Sequence, residues 1–172
     1  VFIDERDDRE STFYFEGGIN SFVRHLNKTR TVLHQKPFYM NRKVGDFIVE
    51  VAIQYNDTYG ESVHSFANNI NTVDGGTHLT GFRTGLTRTI NEYARKNGLI
   101  KENDDSLTGE DVREGLTAII SVKLPDPQFE GQTKGKLGNV PMRSLVERAT
   151  NEKFGDFLEE HPTEANKIVK KS

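Results

Sequence analysis

The chain has 172 residues, a net charge of −3 at neutral pH, 34% apolar and 28% charged residues, and no cysteine. That length is enough for one domain with a real core, and the acidic balance excludes a polycation, so any nucleic-acid contact must come from a local patch. The lack of cysteine excludes disulfides, Cys-ligated zinc and thiol catalysis, and no apolar run approaches the ~18 residues that span a membrane as a helix.

Residues 1–16 read as two short strands, Val1–Glu5 and Ser11–Glu16, around a charged turn. Gly17-Gly18 breaks the second. Ile19, Phe22, Val23 and Leu26 then follow at the i, i+3, i+4, i+7 spacing of an amphipathic helix. Phe38-Tyr39-Met40 is expected to be a short strand. Phe47–Tyr55 is the clearest strand, with Phe47, Val49, Val51, Ile53 and Tyr55 on one face and Ile48, Glu50, Ala52 and Gln54 on the other. After the turn cluster Asn56–Gly60, Glu61–Asn68 is expected to pair back as the second arm of a hairpin.

Asp74-Gly75-Gly76-Thr77-His78 marks a tight strand-to-helix turn, with Thr77 placed to cap the helix. Leu79, Phe82, Leu86, Ile90 and Tyr93 give that helix an apolar stripe. Arg95 and Lys96 complement the dipole in its last turn before Asn97-Gly98. Thr108-Gly109-Glu110-Asp111 resembles a capping box opening a short helix, which Gly115 stops. Leu116–Leu124 is a buried strand. A helix follows from Pro141 until Pro162 breaks it, and Thr163–Lys171 is a last helix. The expected class is α+β, a mixed sheet with helices on one face.

Between that last strand and the helices lies Gly131-Gln132-Thr133-Lys134-Gly135-Lys136-Leu137-Gly138-Asn139. Its glycines leave backbone N–H groups accessible, and its lysines are point charges suited to phosphate. It reads either as a solvated connection or as a loop that reaches an anion. It is no Walker A loop, because the spacing is wrong. The five histidines lack metal-ligand spacing, and no nucleophile elbow or defensible general base is present, so neither a metal site nor a catalytic residue is expected within the chain.

Gln132-Thr133-Lys134 with Lys136-Leu137, after Val122-Lys123-Leu124-Pro125-Asp126-Pro127, resembles the QTK loop of type IIA DNA topoisomerases, and in particular the transducer domain of bacterial gyrase B proteins. Glu16–Ile19, Asp74–Arg83 and Arg113–Leu116 follow the same family in the same order. The resemblance implies a ribosomal-protein-domain-2-like fold with long C-terminal helices. It implies one transducer domain over residues 1–172, an α/β core over 1–139 and helices over 140–172, cut from a longer chain. It implies that Lys134 contacts the ATP γ-phosphate with Gln132 beside it, and that Arg83 lines a cavity for DNA, with Arg88 and Arg95 further along the helix. ATP and Mg²⁺ would be held mainly by an N-terminal ATPase domain of the GHKL type.

The implied partners are that domain, the downstream DNA-cleavage region, the gyrase A protein and double-stranded DNA. The parent would be a dimeric, cytoplasmic, ATP-dependent topoisomerase. The isolated fragment would be an inactive monomer. The corresponding ATPase component of topoisomerase IV is the alternative within the class, and a nucleic-acid-binding module of the related ribosomal fold is the alternative outside it. Lys170 and Lys171 read as a solvated exit.

Overall fold

Leu116–Lys123 (β5) is buried at every residue but its last, and it takes the centre of the sheet. A computed structural model describes residues 18–172. The strands expected over residues 1–16, and the Glu16-Gly17 half of the Glu16–Ile19 motif, lie outside the described residues.

Ahead of β5 come α1 (Gly18–Leu26), β1 (Phe38–Val44), β2 (Phe47–Tyr55), β3 (Ser62–Ala67), β4 (Ile70–Asn71), α2 (Thr77–Lys96) and α3 (Gly109–Arg113). After it come β6 (Phe129–Glu130), β7 (Lys136–Leu137), α4 (Val140–Glu160) and α5 (Pro162–Lys171). The main sheet has the order β1-β2-β5-β3-β4. β5 runs antiparallel to β2, with Val51 opposite Ile120, and parallel to β3, with Val63 opposite Ala118. The sheet is therefore mixed, as expected.

The expected hairpin between β2 and β3 does not form, because β5 lies between them. The cause is burial. β5 is buried on both faces and cannot serve at an edge, whereas β3 begins with three half-buried residues. β3 turns instead through Asn68 and Asn69, at φ 48° and 67°, into the short β4. β1 also runs four residues beyond the Phe38–Met40 segment expected for it.

The two faces of β2 read from the sequence are the two faces of the sheet. Val49, Val51, Ile53 and Tyr55 join the main core with Phe82, Leu86, Ile90, Met142, Val146 and Phe154. Ala52, on the other face, packs with Ile119, Phe66, Ile19 and Val23. α2, α4 and α5 thus share one face, and α1 is the exception that covers the reverse face. The signal is in its sequence: Ile19 and Val23 form a narrow stripe suited to a small second cluster.

α2 and α4 meet backbone to backbone. Gly81 faces the Arg143 carbonyl, and a Cβ added at Gly85 would sit 2.8 Å from the Glu147 carbonyl oxygen. The capping box of α3 is present. Asp111 N–H donates to Thr108 Oγ1 at 3.1 Å, and Thr108 N–H donates to Asp111 Oδ2 at 2.8 Å. Asp111 is held below the usual carboxylate range chiefly by that Thr108 backbone bond. The last basic run is more than a solvated exit, since the Lys171 ammonium lies 3.9 Å from the centre of the Tyr59 ring.

Candidate functional site

β6 and β7 form a two-stranded ribbon, Phe129 opposite Leu137 and Glu130 opposite Lys136. Residues 131–135 are its tip. Gln132, Thr133 and Lys134 are exposed there. Lys134 occupies the left-handed region at φ 56°, which is uncommon for a residue with a Cβ. Lys136 pairs across the ribbon with Glu130 at 3.3 Å. Among the described residues, neither the Lys134 ammonium nor the Gln132 amide has a hydrogen-bond or ion-pair partner.

The base of the loop is held twice. Gly138 N–H donates to the Gln128 carbonyl at 2.7 Å. Asn139 Oδ1 accepts from Gln128 N–H at 2.6 Å, and Asn139 Nδ2 donates to the Asp126 carbonyl at 3.0 Å. Asn139 is the N-cap residue of α4, yet its side chain caps no helix N–H. It closes the loop instead.

The second attachment is to the turn before α2. Asp74 N–H donates to the Gly135 carbonyl at 2.8 Å, and Leu137 N–H donates to the Gly75 carbonyl at 3.1 Å. Gly76 and Leu137 form a parallel bridge. The Asp74 carboxylate packs on Gly135, 2.6 Å from where a Cβ would project. The two glycine-rich motifs, more than fifty residues apart in sequence, are therefore one structure. This sequence reasoning missed. The Gly75-Gly76 pair and the Gly-x-x-Lys-Gly-x-x-Gly segment at 131–138 were the available signal, since glycine clusters mark close backbone approaches.

The expected cap also changes. Gly76, not Thr77, is the N-cap of α2, and Thr77 Oγ1 is buried without a partner among the described residues. Thr80 Oγ1 donates to the Gly76 carbonyl at 3.1 Å. Gly76 is at φ 136°, ψ −167°, a region open essentially to glycine alone, so the turn ends one residue earlier than a Thr cap requires.

Beneath the turn, His78 is fully buried. Its Nε2 lies 3.0 Å from Thr72 Oγ1. Thr72 Oγ1 also lies 2.9 Å from the Ser65 carbonyl oxygen and 2.7 Å from Ser65 Oγ. His78 Nδ1 has no partner among the described residues. Gly75 N–H donates to the Thr72 carbonyl at 2.9 Å, which links this relay to the turn that holds the loop. Burial pushes the His78 pKa down to about 4. Burial lowers His34 and His64 too. Unfolded histidines take up a proton near pH 6.5 while folded His78 does not, so its contribution to stability is complete above pH 6.5 and is lost as pH falls toward 4. Urea midpoints measured between pH 7 and pH 4 should fall with pH, and His78→Gln should flatten part of that decline.

Arg83 lies six residues into α2 beyond Thr77, about 9 Å along its axis. It does not join the loop. Its guanidinium is 3.9 Å from Glu61 Oε1, whose other oxygen is 3.1 Å from Arg113 Nε. Arg88 pairs with Glu92 at 2.9 Å, and Arg95 donates to the carbonyls of Lys101 and Asp104 in the loop that follows its own helix. Arg83 has a looser ion pair than Arg88.

The sequence model of the family described as DNA gyrase B matches residues 18–172. The chain is 58% identical over 165 residues to the DNA gyrase B protein of Halalkalibacterium halodurans, covering 96% of this chain and 26% of that protein. It is 51% identical over 170 residues to the DNA gyrase B protein of Clostridium acetobutylicum, covering 98% of this chain and 27% of that protein. The chain spans about a quarter of the length of these relatives. Among solved structures, the 43K ATPase domain of Thermus thermophilus gyrase B in complex with an aminocoumarin matches with a TM-score of 0.82 and 42% identity, over 90% of this chain and 42% of that one. The topoisomerase IV ATP-binding domain of Francisella tularensis in complex with a small-molecule inhibitor matches at 0.78 and 32% identity, over 91% of this chain and 42% of that one.

Proposed function

The chain belongs to the DNA gyrase B family, and on that premise we propose that it is the transducer domain of the ATPase component of a gyrase-like type II topoisomerase, residues 1–172 forming that one domain. It senses the γ-phosphate of ATP through Gln132–Lys134 and couples nucleotide state to DNA strand passage and negative supercoiling. The observation that supports this most is the double attachment of an exposed, unpartnered Lys134 loop to the start of α2 and, two residues on from Leu137, to the start of α4.

The residues of the tip fit a phosphate. They offer an ammonium and an amide, and the nearby carboxylate of Asp74 packs at the loop's base against Gly135. A nucleotide bound with Mg²⁺, mainly by an N-terminal ATPase domain of the same parent chain, supplies a γ-phosphate that is present before hydrolysis and gone after it. Lys134 gives it a charge-assisted hydrogen bond of roughly 1.5–3 kcal/mol. Gln132 adds an N–H donor. When that partner is lost, the loop is released, and because its base is fixed to α2 and α4, the change passes to a rigid body. The Gly81 and Gly85 contacts make α2 and α4 move together.

Arg83 contributes a guanidinium to the cavity for double-stranded DNA. The downstream cleavage region, the gyrase A protein and a second copy of the parent complete the machine, in the cytoplasm. Lys134→Ala, made in the full-length parent protein reconstituted with gyrase A, should lower ATP hydrolysis and supercoiling together by at least about tenfold with the circular dichroism unchanged. Wild-type rates for both would make Lys134 a surface residue of a connector.

A further inference from the structure

Arg24, Lys28 and Arg30 surround a cavity of about 580 Å³ at the C-terminal end of α1. α1 covers the sheet face opposite α2 and α4, so this cavity belongs to neither the loop nor Arg83. Among the described residues, no carboxylate lines it. Among the same residues, none of the three cationic groups is in an ion pair or donates a side-chain hydrogen bond. Among the other cations of the described residues, Arg42, Arg88, Lys96, Arg113 and Lys136 have carboxylate partners, whereas single surface cations such as Arg143, Arg148 and Lys153 have none. Complementing the helix dipole accounts for Arg24 in the last turn. It does not account for Arg30 beyond the end, or for three cations converging on a space without acids.

The walls of the cavity are pre-organised. Gln54, almost fully buried on β2, donates through Nε2 to the His34 carbonyl at 3.0 Å and accepts from Asn27 Nδ2 at 3.0 Å. Asn27 Oδ1 accepts from Asn56 at 2.9 Å and from Thr117 at 2.9 Å. Asp57 N–H donates to the Thr31 carbonyl and Leu33 N–H to the Tyr55 carbonyl, both at 2.9 Å. The segment from Asn27 to Gln35 is thus pinned to β2 and β5, and little ordering is left to be done on binding.

Arg24 sits in the last turn of α1, and Lys28 and Arg30 follow in the turn beyond its end. All three are exposed. This is a row open to solvent, suited to a polyanion rather than a closed cradle for a small one. Among the described residues, no aromatic side chain lines it, so it offers no stacking platform for single strands. We infer that Arg24, Lys28 and Arg30 form a second, sequence-independent contact for the phosphodiester backbone of duplex DNA, on the sheet face opposite the helix that carries Arg83. The choice of DNA as the polyanion rests on the family reading above; the site itself rests on geometry.

The test is fluorescence anisotropy of the 172-residue chain with a labelled duplex of about 20 base pairs over a range of salt. Three neutralised phosphates contribute about −2.7 to the slope of log affinity against log salt, which is about 40-fold in affinity between roughly 50 and 200 mM. Replacing Arg24, Lys28 and Arg30 together with Gln should weaken binding at low salt at least about tenfold and remove between about 2 and 3 of the slope. Arg24→Lys with Arg30→Lys should retain both. Arg83→Gln should remove about 1 and leave the contribution of Arg24, Lys28 and Arg30 intact. The inference is overturned if the triple variant binds DNA with the wild-type affinity and slope. It is equally overturned if inorganic phosphate at stoichiometric concentration displaces the duplex, or if the triple variant loses polyglutamate binding but keeps DNA. If Lys134→Ala proves silent in the parent while the triple variant loses DNA, the inference stands and the γ-phosphate reading falls.

Discussion

Replacing Gly76 with alanine is expected to cost about 4 kcal/mol of folding stability and to unseat the Lys134 loop. Two effects add. The backbone at φ 136° is strained for any residue with a Cβ. The new methyl group would also lie 2.5 Å from the Leu137 nitrogen and 2.9 Å from its Cα, where no side chain can yield. Relief requires β7 to move away, which breaks the Leu137-to-Gly75 and Asp74-to-Gly135 bonds. Urea denaturation reads the stability. Trypsin reads the loop: cleavage after Lys134 should accelerate at urea concentrations where the rest of the variant is still folded. A midpoint and a cleavage rate equal to wild type would mean that the loop is not seated on this turn.

Gly81→Ala is expected to cost about 3 kcal/mol, because the Cβ points at the Arg143 carbonyl and would lie 3.0 Å from its carbon. The helices must separate, and Phe82, Leu86, Met142 and Val146, all buried between them and the sheet, lose contacts. The comparison that isolates the cause is Gly155→Ala in α4. There the nearest atom to the new methyl is Thr89 Cγ2 at 3.7 Å, an ordinary contact. With no clash, the gain of roughly 1 kcal/mol for alanine over glycine inside a helix should prevail, and that variant should be more stable than wild type. Equal effects at the two sites would remove the close helix contact as the explanation.

Much of this architecture is legible in the sequence wherever one physical signal dominates. The alternation of Phe47–Tyr55 gives β2 at its observed bounds, and its two faces are the two cores. The Thr108 capping box, the stop at Gly98 and the break at Pro162 are local chemistry and are found in place. Sheet order is not local. The Asn56–Gly60 turn chemistry suits a hairpin, but Asn56 is drawn into the buried cluster with Asn27 and Thr117, and the doubly buried β5 claims the neighbouring position. The candidate site is legible in its parts. Lys134, Gln132 and Arg83 carry recognisable motifs, while the seating of the loop on Gly75-Gly76 depends on main-chain bonds that no side-chain pattern reports. No sequence pattern singles out Arg24, Lys28 and Arg30, because only the fold shows that no acid among the described residues lines the cavity they share.

The most direct measurement is the ratio of affinities of the full-length parent protein for a non-hydrolysable ATP analogue and for ADP, compared between wild type and Lys134→Ala. A lysine that touches only the γ-phosphate should leave ADP binding unchanged and lower the preference for the triphosphate by between about 10-fold and 150-fold, the equivalent of roughly 1.5–3 kcal/mol. An unchanged ratio, or an equal loss for both nucleotides, would contradict the assignment of the loop as a γ-phosphate sensor.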